Sequence, residues 1–184
     1  GSYRISNAFF TSTATSQNNT FATAAEFPTI TPTPTGVRDH IVINEDSSVG
    51  NGDADWIELF NPTGSTVDIS GWIIRDNDSP ETIPTSTSIP SGGYAVVVPG
   101  SAATIQINTT AIGNGLAAGG DRVELRLSDD ATIVDAVSYG TDTTIFTLSA
   151  MTSTPVLARN PNGQDTDLAG DWVLQTGTIG VANN

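Results

Sequence analysis

Short apolar runs separated by turn-forming residues recur along most of the chain, and this alternation constrains the fold more than any other feature. No window of a dozen residues keeps its apolar positions at the spacing of an α-helix. Val123, Leu125 and Leu127 alternate with charged residues, as in a strand with one buried face. The pattern predicts an all-β sandwich or barrel. The predicted strands are residues 40–44, 56–60, 67–69, 72–75, 94–98, 123–127, 133–139, 144–148 and 172–174.

The balance of charge limits the partners that this chain can have. Its 184 residues carry a formal net charge of -14, and its 6 basic residues are all arginines. Binding of nucleic acid depends on neutralising phosphates with lysine and arginine, so we expect no nucleic-acid partner. No apolar run approaches the roughly 20 residues that span a bilayer, so we expect no membrane anchor in the mature chain. Because cysteine, lysine and the Gly-x-Ser-x-Gly and His-Glu-x-x-His motifs are missing, we also expect no enzyme activity.

The first 27 residues carry large apolar side chains at a position where chains are usually polar. Burying each of them is worth roughly 1.5–3 kcal/mol, so we expect them to pack on a protein surface. Residues 28–36 follow, with three prolines that favour an extended conformation and a reach of roughly 28 Å. The predicted organisation is an extended strand at 1–27, a Pro/Thr-rich linker at 28–36 and a globular domain at 37–184. The apolar anchors of the strand are Tyr3, Ile5, Phe9, Phe10 and Phe21.

A series of sequence blocks from residue 41 to the end resembles the lamin tail domain. The blocks include Asp-Trp-Ile-Glu-Leu-Phe-Asn-Pro at 55–62 and Val-Asp-Ile-Ser-Gly-Trp-Ile-Ile at 67–74. The others are residues 41–45, 89–98, 120–127, 134–140, 170–172 and 180–183. The resemblance implies an immunoglobulin-like β-sandwich that binds or supports and does not catalyse. We do not expect a nuclear lamin, because the chain has no heptad rod.

The N-terminal segment resembles the start of mature camelysin-like and biofilm-fibre proteins. The matching residues are Ala8, Phe10, Ser16, Asn19 and Phe21, while Ser12 stands where an acidic residue is usual. In those families the N-terminal segment can complete the sheet of the next subunit in a fibre. The resemblance therefore implies a prokaryotic protein that is extracellular and lies at the cell surface.

Acidic loops make calcium the one candidate cofactor. Asp53 and Asp55 lie in one such loop, near Asp46, and Asp165 and Asp167 lie in another. Calcium takes six to eight oxygen ligands from flexible loops. The alternative is that these aspartates only form turns, which their side chains favour.

Other polar and aromatic residues have simpler interpretations. Trp56, Trp72 and Trp172 are expected in the core and not on a platform for sugars, because each lies in a block that resembles the family. His40 is expected to be structural. Three Asn-x-Ser/Thr sequences are candidate glycosylation sites in a secreted chain: Asn18, Asn77 and Asn108.

Two functions remain open from the sequence. The first is a pilus-like filament, as in biofilms, in which the N-terminal donor strand of each copy inserts into the next copy and forms a homopolymer. The alternative is a monomeric cell-surface module for adhesion or carbohydrate binding, with the N-terminal strand packed on its own domain. An accessory domain of a separate hydrolase is a third possibility.

Overall fold

The structure is a computed structural model, and the description covers residues 39–48, 55–98, 112–151 and 156–184. The backbone of three further short strands, at residues 3–5, 8–10 and 105–106, is also described. The chain divides into two compact units, Gly1–Thr33 and Pro34–Asn184. The predicted linker at 28–36 and the donor anchor Phe21 lie outside the described residues.

Strands account for almost all of the regular structure in the described residues, apart from one 3₁₀ turn at Ala169–Asp171. They are β1 (Tyr3–Ile5), β2 (Ala8–Phe10), β3 (Val42–Ser47), β4 (Trp56–Phe60), β5 (Val67–Asp68), β6 (Ile73–Arg75), β7 (Pro80–Thr82), β8 (Ser88–Ile89), β9 (Tyr94–Val98), β10 (Ile105–Gln106), β11 (Gly120–Arg126), β12 (Ile133–Gly140), β13 (Val156–Arg159) and β14 (Trp172–Gln175).

The first unit contains a small antiparallel pair, β1 with β2. Tyr3 lies opposite Phe10, and Ile5 lies opposite Ala8. Each strand is three residues long. The backbone positions of four of the five predicted anchors lie in these two strands.

Two larger sheets form the second unit. One has six strands in the order β10-β9-β4-β3-β13-β14, and the other has four in the order β12-β11-β6-β7. Strands β5 and β8 form a separate pair. Both larger sheets contribute to one buried apolar cluster, which confirms the predicted all-β, immunoglobulin-like β-sandwich. Its members include Ile43, Ile57 and Leu59 from the first sheet and Ile74, Val123, Leu125 and Val137 from the second.

Strand β11 shows how the alternating pattern becomes structure. Val123 and Leu125 are fully buried in the core, as the sequence predicts. On the other face, Glu124 forms ion pairs with Arg122 and Arg126. The charged face therefore pairs its charges along the strand while the apolar face packs.

The strand predicted at residues 144–148 is wrong, because this segment forms no ladder. The hydroxyl oxygen of Ser138 accepts hydrogen bonds from the N–H groups of Ile145 (3.0 Å) and Phe146 (2.9 Å). A side chain thus occupies the donors that a neighbouring strand would use. Strands β7, β8, β10 and β13 were not predicted, because they are short and lack a clear apolar alternation.

Two irregularities interrupt the ladders. The pairing of β3 with β4 shifts between Ile43 and Glu45, and that of β11 with β12 shifts between Leu125 and Arg126. The extra residues are Asn44 and Val134. Such β-bulges bend a strand and redirect its side chains.

Candidate functional site

The second half of β3 is polar and yet fully buried. Asn44, Glu45 and Asp46 each have an exposed fraction of 0%. Burying a polar side chain is costly unless it finds hydrogen-bond partners. Residues 43–46 of this strand lie at three polar clusters inside the domain.

The first cluster surrounds Arg159, which is 1% exposed. Its Nη2 donates to both carboxylate oxygens of Asp135, at 2.9 Å each. Nη1 donates to the carbonyl of Gln164 at 2.7 Å and to Asp165 Oδ1 at 3.1 Å, and Nε donates to the carbonyl of Ile43 at 2.8 Å. One buried cation therefore joins the six-stranded sheet to Asp135 on the four-stranded sheet.

His40 extends this cluster. Its Nε2 lies 3.0 Å from Asp165 Oδ2, and its Nδ1 lies 2.6 Å from Asp39 Oδ1. The hydrogen bond with Asp165 raises the pKa of His40 to about 9, although burial opposes the shift. Burial also opposes the shift at Asp165, where the bond from His40 and the charge of Arg159 lower the pKa to about 2. The expectation that His40 is structural agrees with these contacts.

The second cluster holds two buried carboxylates, Glu45 and Glu58, which face each other across β3 and β4. Glu45 accepts hydrogen bonds from the backbone N–H of Thr178 at 3.0 Å and from its hydroxyl at 2.7 Å. Glu58 accepts from the side-chain amide of Asn44 at 2.8 Å and from the N–H of Gly180 at 2.6 Å. Burial raises the pKa of Glu58 to about 7.

Asn183 closes this cluster. Its side-chain amide donates to the carbonyls of Asn44 (3.2 Å) and Arg159 (2.8 Å), and its backbone N–H donates to the side chain of Asn162 at 2.9 Å. The two carboxylates are therefore covered by the segment 178–183 of the chain itself. This arrangement ties that segment to the sandwich.

The third cluster is acidic and has one carboxyl group without a hydrogen bond. Neither oxygen of Asp46 has a hydrogen-bond partner in the described part of the chain. Burial, and then the charges of Asp121 and Asp55, raise its pKa well above the usual range. Asp55 accepts from the N–H of Leu116 at 2.8 Å, and Asp121 accepts from that of Ala117 at 2.9 Å. These bonds hold the loop before β11 against the end of the sandwich.

The calcium hypothesis is not tested by these contacts and stays a prediction. Among the described residues, no three acidic or histidine side chains are arranged to hold a metal ion. Asp53 lies outside the described residues. Both oxygens of Asp165 are engaged by Arg159 and His40, and the N–H of Asp167 donates to Asp165 Oδ1 at 3.2 Å.

The family model of the lamin tail domain matches residues 34–141. This match covers more than half of the chain. The chain belongs to the lamin tail domain family. A comparison with curated proteins found no match.

The family match covers β3 to β12 of the lamin tail domain. Strands β13 and β14 lie after the matched range, as do Arg159 and Asn183, the residue that completes the Glu45–Glu58 cluster. The similar blocks noted at 170–172 and 180–183 thus lie beyond the matched range. The structure nevertheless pairs β13 with β3, so the six-stranded sheet is completed by residues that follow the match.

The remaining predicted residues have different outcomes. Trp172 is buried in the core cluster, and the half-buried Trp72 packs against that cluster, as expected. Trp56, also expected in the core, is half-buried. Asn77 is exposed in the turn after β6, while Asn18 and Asn108 lie outside the described residues. Glycosylation therefore stays a prediction. In the described part of the chain, no helix is long and apolar enough to cross a membrane.

Sequence reasoning did not find Arg159, Asp135 or the Glu45–Glu58 pair. An arginine next to an apolar run is usually exposed, since arginine is almost never fully buried unless it is paired. A usable indication was the run Ile41-Val-Ile-Asn-Glu-Asp46, in which polar residues directly continue a buried strand.

Proposed function

We propose that this protein is an extracellular filament subunit that polymerises head to tail. In this proposal, residues from about 3 to 27 of one copy insert as a β-strand segment into the lamin tail domain of the next copy. Backbone hydrogen bonds to the acceptor sheet supply the affinity, and the apolar anchors supply the specificity. Because each copy both donates and accepts, the contact generates an open polymer.

The observation that carries the proposal is that the chain divides into two units, of which one has a large core of its own and the other is described only as a pair of short strands. The lamin tail domain has a core of its own, whose described members lie between residues 41 and 172. The first unit offers only the pairing of β1 with β2 among its described residues. An isolated two-stranded pair is marginally stable in water, so these strands gain most by adding to a larger sheet.

Charge supports the choice of this segment as the part that contacts another copy. Residues 1–27 contain one basic residue, Arg4, and one acidic residue, Glu26. Their formal charge is therefore zero, and the whole net charge of -14 lies on the rest of the chain. A neutral apolar segment can approach an acidic domain without the repulsion that two acidic surfaces meet.

Electron microscopy of the purified chain tests the proposal. We expect fibres from the intact protein and none after deletion of residues 2–27. A double variant, Phe9→Ser with Phe10→Ser, should also prevent fibres, whereas the control Thr11→Ser with Thr13→Ser should not. Under dilute conditions that keep the copies monomeric, melting temperatures of the lamin tail domain should be equal with and without the deletion, because the segment stabilises the next copy and not its own.

A monomer by light scattering at high concentration, with unchanged stability after the deletion, would show that the filament proposal is wrong. A monomer whose melting temperature falls on deletion would instead support the adhesion module with the strand packed on its own domain. We also propose a location at the cell surface, because the N-terminal segment resembles proteins found there. Fractionation of cells that produce the protein tests this location.

A further inference from the structure

The two larger sheets end at four edge strands, and three of these edges are protected. Natural sheets block their edges with proline, charge, bulges or covering segments, because unpaired backbone groups invite other strands. β7 begins with Pro80 and continues with Glu81, and both features discourage pairing. The edge at β10 is two residues long and pairs in parallel with β9.

The edge at β12 is protected by its hydrogen bonds. The N–H of Ala136 donates to the carboxylate of Asp135 at 2.7 Å, and the N–H of Gly140 donates to the carbonyl of Leu148 at 3.0 Å. Both donors point away from β11, and neither is available to an added strand. The bulge at Val134 further disrupts the ladder. A groove of about 460 Å³ does flank β12, lined in part by Ile133, and this makes β12 the rival site.

The edge at β14 has none of these protections. Its sequence, Trp-Val-Leu-Gln, contains no charge and no proline, and its pairing with β13 is regular. Residues 173–175 form no hydrogen bond to a described residue other than those of β13. In an antiparallel strand, half of the backbone groups point away from the partner, and no described residue pairs with that outer side of β14.

The side chains of β14 also remain partly uncovered on both faces. Val173 is 37% exposed and Leu174 is 39% exposed. Because neighbouring side chains of a strand point to opposite faces, both faces of this edge lose water when a strand is added. An apolar partner strand would therefore gain hydrogen bonds and apolar contacts at once.

We propose that the β14 edge, residues Trp172–Gln175, is the acceptor for the N-terminal segment of a second copy. This inference rests on the proposed filament function and names the site that it needs. The added segment extends the six-stranded sheet beyond β14. Residues 172–175 carry no charge, and the donor segment carries only Arg4 and Glu26.

Matched substitutions at the two competing edges test the inference in the full-length protein. Val173→Arg should reduce the fibre mass that sediments by at least tenfold. Ile133→Arg, which changes an apolar residue of similar exposure on β12, should leave it within twofold. Both side chains are solvent-accessible, so thermal melting of each variant should match that of the unchanged protein and exclude misfolding.

Disulfide trapping gives a second measurement, because the chain has no cysteine of its own. A mixture of Phe9→Cys and Leu174→Cys copies should give a crosslinked dimer on oxidation, at least tenfold more than a mixture of Phe9→Cys and Ile133→Cys. Crosslinking to position 133, or fibres that survive Val173→Arg, would overturn the β14 acceptor while leaving the filament function intact. A disulfide that closes within one chain of the Phe9→Cys/Leu174→Cys double variant, without dimers, would overturn it as well. Intact protein without fibres would overturn the filament function itself.

Discussion

The carboxylate of Asp135, on the four-stranded sheet, accepts two hydrogen bonds of 2.9 Å from Nη2 of Arg159, on the six-stranded sheet. Both side chains are almost completely buried. The guanidinium also lies 4.5 Å from the ring centre of Trp172, in a cation–π contact. At this point the link between the sheets is therefore ionic, beside the apolar cluster that both sheets also share.

We predict that Arg159→Met lowers the free energy of unfolding by about 3–5 kcal/mol, because it leaves Asp135 buried without its partner. The control is Arg75→Met, which removes an ion pair with Asp130 near the surface. That change should cost at most about 1 kcal/mol. Urea titration measures both values, and similar losses for the two variants would contradict the central role of Arg159.

The buried carboxyl of Glu58 predicts a dependence of stability on pH. Its pKa rises from 4.5 to about 7 on folding, so the folded protein binds this proton more tightly than the unfolded chain does. The contribution to stability is complete below pH 4.5 and is lost as the pH rises through about 7. The difference in stability between Glu58→Gln and the unchanged protein should therefore shift in favour of the variant over this range. Melting curves that keep a constant separation between pH 4 and 8 would refute the prediction.

The raised pKa of His40 predicts a loss of stability in a second, higher pH range. Its pKa rises from 6.5 to about 9 on folding, so its contribution is complete below pH 6.5 and disappears as the pH rises through about 9. The chain has a single histidine, so its ring signal in a proton NMR titration is unambiguous. We expect a midpoint near 9 in the unchanged protein and a lower midpoint in Asp165→Asn. A midpoint near 6.5 in the unchanged protein would show that the bond to Asp165 does not form.

Gly163 occupies a position that only glycine fits. Its φ is +64°, and a Cβ added there would overlap the ring of Phe60. Gly163→Ala should therefore cost about 2–4 kcal/mol from backbone strain and overpacking together. At Gly64 an added Cβ has no heavy atom within 4 Å, which makes Gly64→Ala the matched control. Chemical denaturation should show a loss for the first variant and almost none for the second.

The sequence predicted those parts of the fold that follow from local alternation. Val123 and Leu125 are buried as expected, because a period of two residues directly separates the faces of a strand. Strand β13 was not predicted because its four residues, Val156–Arg159, are too few to show a clear alternation. The burial of Arg159 depends on several partners, among them Asp135, which lies 24 residues away, and sequence spacing does not report such a partner.

The polar clusters were equally hard to foresee. Glu45 accepts a hydrogen bond from the backbone of Thr178, 133 positions away, and Glu58 accepts one from that of Gly180, 122 positions away. Local patterns predict which residues alternate in a strand, but they do not predict which distant backbone donors meet a buried carboxylate. Asp165, one of the candidate calcium ligands, forms ion pairs with His40 and Arg159, which lie far from it in sequence or in another element.

Every arginine whose side chain the structure describes lies within an ion pair: Arg75, Arg122, Arg126 and Arg159. These arginines are thus paired with carboxylates of the same domain, and the remaining carboxylates give its outer surface a negative charge. Two copies that approach through most orientations meet electrostatic repulsion over about 8 Å at physiological ionic strength. The osmotic second virial coefficient of the domain should accordingly be positive in dilute buffer and fall as salt is added. Electrostatic repulsion between two copies is therefore weakest where the surface of the domain is uncharged.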